Sequence, residues 1–174
     1  MIIDVLGLGE TINEFKPNSE HFTIGSNDIY KYFATDYLAV YDMKRAFAPE
    51  RLKIIESSTP KKFYSYLKDW EQQPNFELMT INKEPRNNYE NIHKEGVIAC
   101  LTSSAICCQL AFKLGAKEIN LYGVDLNNHK ILSKPDRLLK IESAFKSLKR
   151  ALNNHGVIIR CTKGSYLSKI LNII

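Results

Sequence analysis

Residues 97–126 read VIACLTSSAICCQLAFKLGAKEINLYGVDL, and their pattern decides the fold. An apolar run ends in Thr102-Ser103-Ser104, and Ile106, Cys107, Leu110, Ala111 and Leu114 then recur at helical spacing. Gly115 suits the left-handed position after a helix, and a second apolar run over 119–124 leads into Asp125. Gln109 and Lys113, four apart, are expected on the outer face of that helix. Strand, helix, strand is the repeating unit of a parallel sheet, because parallel neighbours need a crossover. A hydroxyl-rich turn at such a strand–helix junction is a ready anion site, since the first-turn N–H groups have no helical acceptor.

Working outward, the same alternation continues. Residues 2–6 form a first strand, followed by Gly7-Leu8-Gly9-Glu10-Thr11. This is not the dinucleotide fingerprint, because Ile12 stands where a third glycine belongs, but two glycines still let a ligand approach the backbone. A second strand over 21–24 runs into Gly25-Ser26-Asn27-Asp28, which caps a helix over 29–35. A third strand, 36–42, ends in Asp42. The middle reads as a strand over 52–55, a helix over 61–70 opened by Pro60, and a strand over 77–81. Residues 82–96 have almost no apolar periodicity and read as a long polar loop, either functional or mobile. Beyond Asp125, Ser133 and Asp136 mark the start of a long helix carrying Leu138, Ile141, Phe145, Leu148 and Leu152. A last strand over 157–161 and a terminal helix over 165–171 complete the chain. The expected fold is α/β, a doubly wound, mostly parallel Rossmann-like sheet, with residues 1–174 as a single nucleotide-binding domain.

Bulk properties narrow the function. At 174 residues and 44% hydrophobic composition the chain can build a core without staples. No apolar run reaches the roughly 18–20 residues of a membrane span, and Asp4 without a basic flank argues against a secretory signal. The net charge of +5 comes from dispersed lysines, a solvated basic surface rather than a nucleic-acid stripe. Cys100, Cys107, Cys108 and Cys161 form no CxxC pair and read as buried reduced thiols of a cytoplasmic protein rather than metal ligands.

In a parallel sheet the turns after each strand share one edge, where ligands bind. That edge gathers Gly7, Gly9, Glu10 and Thr11, then Ser26, Asn27 and Asp28, then Thr102, Ser103 and Ser104, joined by Asp42 and Asp125. Backbone donors and hydroxyls suit phosphate; Asn and Asp side chains suit ribose or base. Singly, Ser26, Asn27, Ser103 and Ser104 are equally good helix caps, and Asp42 and Asp125 can be plain solvated acids; the case rests on their coincidence. His129, in a polar loop between Asn128 and Lys130, is the candidate general base, or an ordinary surface histidine.

These motifs (GxGxT, G-S-N-D and T-S-S-A…L-G-A-K-E-I-N-L-Y-G-V-D) resemble the bacterial lipooligosaccharide sialyltransferases. They also resemble the related group of motility-associated-factor glycosyltransferases and hydroxymethylpterin pyrophosphokinases. The sialyltransferase resemblance implies a CMP-sugar donor held by Gly7, Gly9, Glu10, Thr11, Asn27, Thr102, Ser103 and Ser104. It also implies a carbohydrate acceptor and metal-independent, inverting transfer with His129 as base. Two departures stand out: only Leu126, Asn127 and Asn128 separate Asp125 from His129, leaving no room for a lid, and Ser104 replaces the usual glycine. No cofactor is expected beyond the donor substrate. The alternatives are a Mg-dependent diphosphokinase with Asp42 and Asp125 as ligands, and a non-catalytic nucleotide-binding module. The sequence leaves the oligomeric state open.

Overall fold

The structure, a computed structural model, describes residues 1–127 and 133–174. Its strands in chain order are β1 (Ile2–Leu6), β2 (Phe22–Ser26), β3 (Tyr37–Ala39), β4 (Lys62–Ser65), β5 (Phe76–Leu78), β6 (Ile81–Asn82), β7 (Val97–Ile98), β8 (Glu118–Tyr122), β9 (Ile158–Cys161) and β10 (Asn172–Ile173). The helices are α1 (Pro49–Glu56), α2 (Ser103–Lys113) and α3 (Pro135–Asn154). Eight strands make one sheet in the order β10-β9-β8-β1-β2-β3-β4-β5, all neighbours parallel. The α/β fold read from the sequence is the fold observed.

The sheet is covered on both faces, unequally. On one face Ile3, Val5, Ile24, Ile119, Leu121 and Ile159 pack with the apolar sides of α2 and α3. On the other, Leu6, Leu38, Val40 and Phe63 meet Ile55 of α1, Trp70, and the 3-10 turn that follows β1. Central strands buried on both sides must read as nearly continuous apolar runs, which is why β1 and β8 were visible in the sequence.

Five local readings change. Residues 52–55 are helical: Pro49 opens α1, and Leu52 and Ile55, three apart, turn to the same core. Residues 61–70 are not a helix; Lys62–Ser65 is strand β4, paired with β3 and β5, and only Lys68–Trp70 makes a 3-10 turn. The helices expected over 29–35 and 165–171 shrink to 3-10 turns at Ile29–Lys31 and Tyr166–Lys169, the second followed by β10.

The fifth change concerns the opening stretch itself. Val97 and Ile98 do not enter the large sheet; β7 pairs with β6 alone. The other side of the Ile98 peptide is satisfied by Gln109, whose Oε1 accepts from Ile98 N at 2.7 Å and whose Nε2 donates to Ile98 O at 2.9 Å. A fully buried side-chain amide thus takes the place of a neighbouring strand, so Gln109 faces inward, not outward as expected. Lys113 is likewise engaged: its ammonium donates to the carbonyls of Ile92 and Lys94, at 3.1 and 2.6 Å. With Tyr89 and Ile92 buried beneath it, the polar 82–96 segment is a packed, tied-down loop.

Asp36 pins β2 to the start of β3. Its Oδ2 accepts from the backbone and hydroxyl of Thr23, at 2.9 and 3.0 Å, and its Oδ1 pairs with Lys61 at 2.7 Å. Burial pushes its carboxyl up, but the hydrogen bonds from Lys61 and Thr23 together hold it below the usual carboxylate value.

All four cysteines are free and buried. Burial pushes the Cys100 and Cys161 thiols up to about 11 and raises Cys107 and Cys108 as well. A thiol-specific disulfide reagent at pH 8 is expected to label none within minutes in the native protein and all four after guanidinium unfolding; rapid native labelling would contradict this packing. Among the described residues no helix is long and apolar enough to cross a membrane.

Candidate functional site

Strand β1 lies between β2 and β8, so the chain leaves the sheet centre in opposite directions on its two sides. Open α/β sheets form their ligand crevice at that switch point, outside the carboxyl ends of the strands. A cleft of about 800 Å³ lies there. Gly7, Gly9, Glu10 and Thr11 line it from the β1 turn, Ser26 and Asn27 from the β2 turn, and Asp42 from beyond β3. Thr102, Ser103 and Ser104 enter from the start of α2, and Asp125 from beyond β8. The residues gathered by sequence reasoning therefore do converge, although Thr102–Ser104 arrives through a helix start rather than a strand of the large sheet. Asp28 sits just behind the wall, and His129 lies outside the described residues.

The floor is made by two loops in very close approach. Gly7 N donates to Tyr122 O at 2.8 Å and Gly9 N to Gly123 O at 2.7 Å. A Cβ on Gly7 would fall 2.4 Å from Gly123 O, and one on Gly9 would fall 2.5 Å from Asp125 Oδ2. The glycines of the β1 turn are thus required by the close approach of the β8 turn, through the Gly123 backbone at Gly7 and chiefly the Asp125 carboxylate at Gly9, a reason that holds whether or not a ligand is bound.

Thr11 and Asp125 lock this floor. The Thr11 backbone N–H donates to Asp125 Oδ2 at 2.8 Å, and its hydroxyl donates to Asp125 Oδ1. The same hydroxyl accepts from Gly123 N at 3.0 Å and from the Thr162 hydroxyl at 2.8 Å. The turn after β9 closes the ring. Ser165 Oγ donates to Val124 O at 2.7 Å, Tyr166 N to Asp125 O at 2.9 Å, and Asn127 Nδ2 to Gly164 O at 2.8 Å. Leu126, buried at the cleft, is held at φ 64°, a left-handed conformation that a branched residue adopts only when its surroundings impose it.

The remaining walls supply donors and one cation. Thr102 caps α2, its hydroxyl accepting from Ala105 N at 3.2 Å, which leaves the Ser103 and Ser104 N–H groups without an intrahelical acceptor. Arg51, in the first turn of α1, also lines the cleft; its Nε and Nη2 donate to Asp28 Oδ1 at 3.0 and 2.5 Å. That pair raises the arginine further above its ordinary value and aims the guanidinium from behind the wall. Sequence reasoning missed Arg51, which precedes the 52–55 run and shows no spacing that ties it to Asp28, and Gly164 because nothing marked its loop as returning to Thr11. Asn27 is held at φ 55°, and its Oδ1 is buried with no hydrogen-bond partner among the described residues.

Among the described residues no three His, Cys, Asp or Glu side chains come together at ligating distance. Asp125 has both oxygens engaged by Thr11, so the Asp42–Asp125 metal pair has no built counterpart there.

No family model matches the chain, and no curated protein matches it in sequence. Solved structures do. The sialyltransferase CstII from Campylobacter jejuni, in complex with the substrate analogue CMP-3FNeuAc, superposes with a TM-score of 0.60 at 13% identity, over 99% of this chain and 84% of that one. The complex with cytidine-5'-monophosphate gives 0.62 at 13% identity, over 99% and 84%. The complex with a trisaccharide acceptor and CMP gives 0.61 at 12%, over 99% and 86%. At this identity the likeness is one of architecture: the chain has a sialyltransferase-like α/β fold.

Proposed function

We propose that this chain binds a CMP-type nucleotide sugar in the cleft and transfers the sugar, with inversion and without a metal, to a carbohydrate acceptor. The observation that carries the reading is Asn27. A buried amide oxygen without a donor costs roughly 1–3 kcal/mol, and a ribose hydroxyl or an exocyclic base amine supplies the donor it lacks. The Ser103 and Ser104 N–H groups at the positive end of α2 donate to the phosphate, with Arg51 lining the wall as a cation. In the transfer step the acceptor oxygen bonds to the anomeric carbon as the bond to the phosphate oxygen breaks; His129 takes the acceptor's proton, and the nucleotide leaves as an anion. The short span between Asp125 and His129 favours a second reading, a nucleotide-binding module without turnover.

Thermal-shift titration tests the binding reading. CMP at 100-fold its Kd adds about 2.7 kcal/mol, a rise of roughly 5–11 °C for a chain of this size. Absence of a shift with CMP, CDP, UDP and GDP compounds alike would sink it. Asn27→Gly removes the amide while keeping the left-handed backbone without strain. Its affinity for CMP is expected to fall about tenfold, the equivalent of 1.4 kcal/mol, with melting temperature of the free protein unchanged or slightly higher. Unchanged affinity would remove Asn27 from the site. If CMP binds and no acceptor supports turnover, the module reading replaces the transferase.

A further inference from the structure

Beside the cleft, and sharing Leu101 with it, lies a second hollow of about 500 Å³ between the 82–96 loop and α3. Arg86, Asn87 and Asn88 form one bank; Lys140, Ser143 and Ser147 of α3 form the other, with buried Ala144 at the base. Lys140, Ser143 and Ser147 succeed one another by three and four residues, so they share one helical stripe. Among the described residues the lining holds two cations and no acid. Arg86 is aimed rather than adrift: Nε and Nη2 both donate to Cys100 O, at 3.3 and 2.9 Å, leaving the rest of its fork for another acceptor. That carbonyl is neutral, and among the described residues no carboxylate is paired with the guanidinium. Asn87, which lines the hollow, is fixed in the left-handed region at φ 62°, its N–H tied to Ala99 O at 2.9 Å and its Oδ1 accepting from the Tyr89 hydroxyl at 3.4 Å.

Hydroxyls and amides around an apolar base suit the alternating faces of a sugar ring, and two cations that no carboxylate among the described residues pairs call for an anion on it. We propose that this hollow is the acceptor subsite of the cleft, and that it takes a sugar carrying a carboxylate or phosphate, held by Arg86 and Lys140. The proposal rests on the transferase reading only for the word acceptor; the anionic-sugar site stands on its own residues. Leu101 at the divide puts a sugar bound here next to the Thr102–Ser104 turn, where the donor phosphate is placed.

Saturation-transfer NMR on the full chain, with galacturonate, galactose 6-phosphate and galactose at equal concentration, tests the site. At least one anionic sugar is expected to give a signal at least fivefold stronger than galactose, and which one does so identifies carboxylate or phosphate. Arg86→Ser together with Lys140→Ser should reduce that signal at least fivefold while the CMP-induced thermal shift stays as in wild type. Because Arg86 also steadies the Cys100 carbonyl, Lys140→Ser alone, on the exposed side of α3, must itself weaken the signal. Lys53→Ser on α1 must not, which separates a site from general attraction to a basic protein. Equal signals from the neutral sugar, or full signals from the Lys140 variant, overturn the proposal. If CMP fails to bind wild type while the acidic sugar still does, the donor reading falls and the anionic subsite survives.

Discussion

Replacing Gly123 with alanine is expected to destabilise the protein by about 3 kcal/mol, lowering the melting temperature by roughly 6–12 °C. Two effects add. Gly123 has φ +65°, where an L side chain costs roughly 1–2 kcal/mol, and its Cβ would fall 2.5 Å from Gly7 O and 3.0 Å from Ile12 Cβ. Neither neighbour can step aside, since one is backbone hydrogen-bonded to β8 and the other belongs to a buried turn. Gly156 provides the control. It has φ +70° with nothing within 4 Å of its would-be Cβ, so Gly156→Ala should cost only the backbone strain, about 1 kcal/mol. Chemical denaturation of both variants separates the terms. Equal losses would mean that the β1 and β8 turns are not in forced contact. Because those turns form the cleft floor, Gly123→Ala should also weaken CMP binding, whereas Gly156→Ala should leave it intact.

This pair of variants also shows what the sequence could and could not disclose. Gly7 and Gly9 are plain in the sequence as a tight turn after a strand, but the partners that force them to be glycine lie more than a hundred residues away, at Gly123 and Asp125. A spacing rule credits such glycines to a ligand when another loop already accounts for them. Periodicity found β1, α2, β8 and α3, because each is long or doubly covered and its apolar pattern follows its own geometry. It failed over 52–55 and 61–70, where a short run such as Leu-Lys-Ile-Ile satisfies strand and helix equally and the decision belongs to Pro49 and to the pairing of Phe63 with Leu38. It failed at β7 for a different reason: Gln109 completes the Ile98 hydrogen bonds, and nothing in a sequence marks a glutamine as a surrogate strand. Converging turns were legible as a site because strand order follows from alternation; Arg51 was not, since its tie to Asp28 has no periodic signature.

Asp125→Ala is expected to cost about 3 kcal/mol in stability, which separates two roles for that carboxylate. A side chain kept only to touch ligand leaves the free protein unharmed when truncated. Asp125, buried, instead accepts both the backbone and the hydroxyl of Thr11, and its loss leaves a buried N–H without an acceptor. Hydrogen bonds to a charged acceptor contribute roughly 1.5–3 kcal/mol, and the Thr11 hydroxyl would keep its contacts with Gly123 N and Thr162. Asp125→Asn, which retains one acceptor oxygen but turns an amide donor toward Thr11, should fall between wild type and alanine. Asp42 lines the same cleft but is exposed, and its backbone carbonyl, not its carboxylate, receives Trp70 Nε1 at 3.0 Å. Asp42→Ala should therefore stay within about 0.5 kcal/mol of wild type. Denaturation midpoints for the three variants decide the matter. If Asp125→Ala is as stable as Asp42→Ala, the Thr11–Asp125 lock is not holding the floor, and Asp125 returns to the set of candidate ligand contacts. If the order is as expected, CMP affinity should fall with stability across the Asp125 series, because the Gly7–Thr11 turn, the proposed nucleotide wall, is the segment that Asp125 keeps in place.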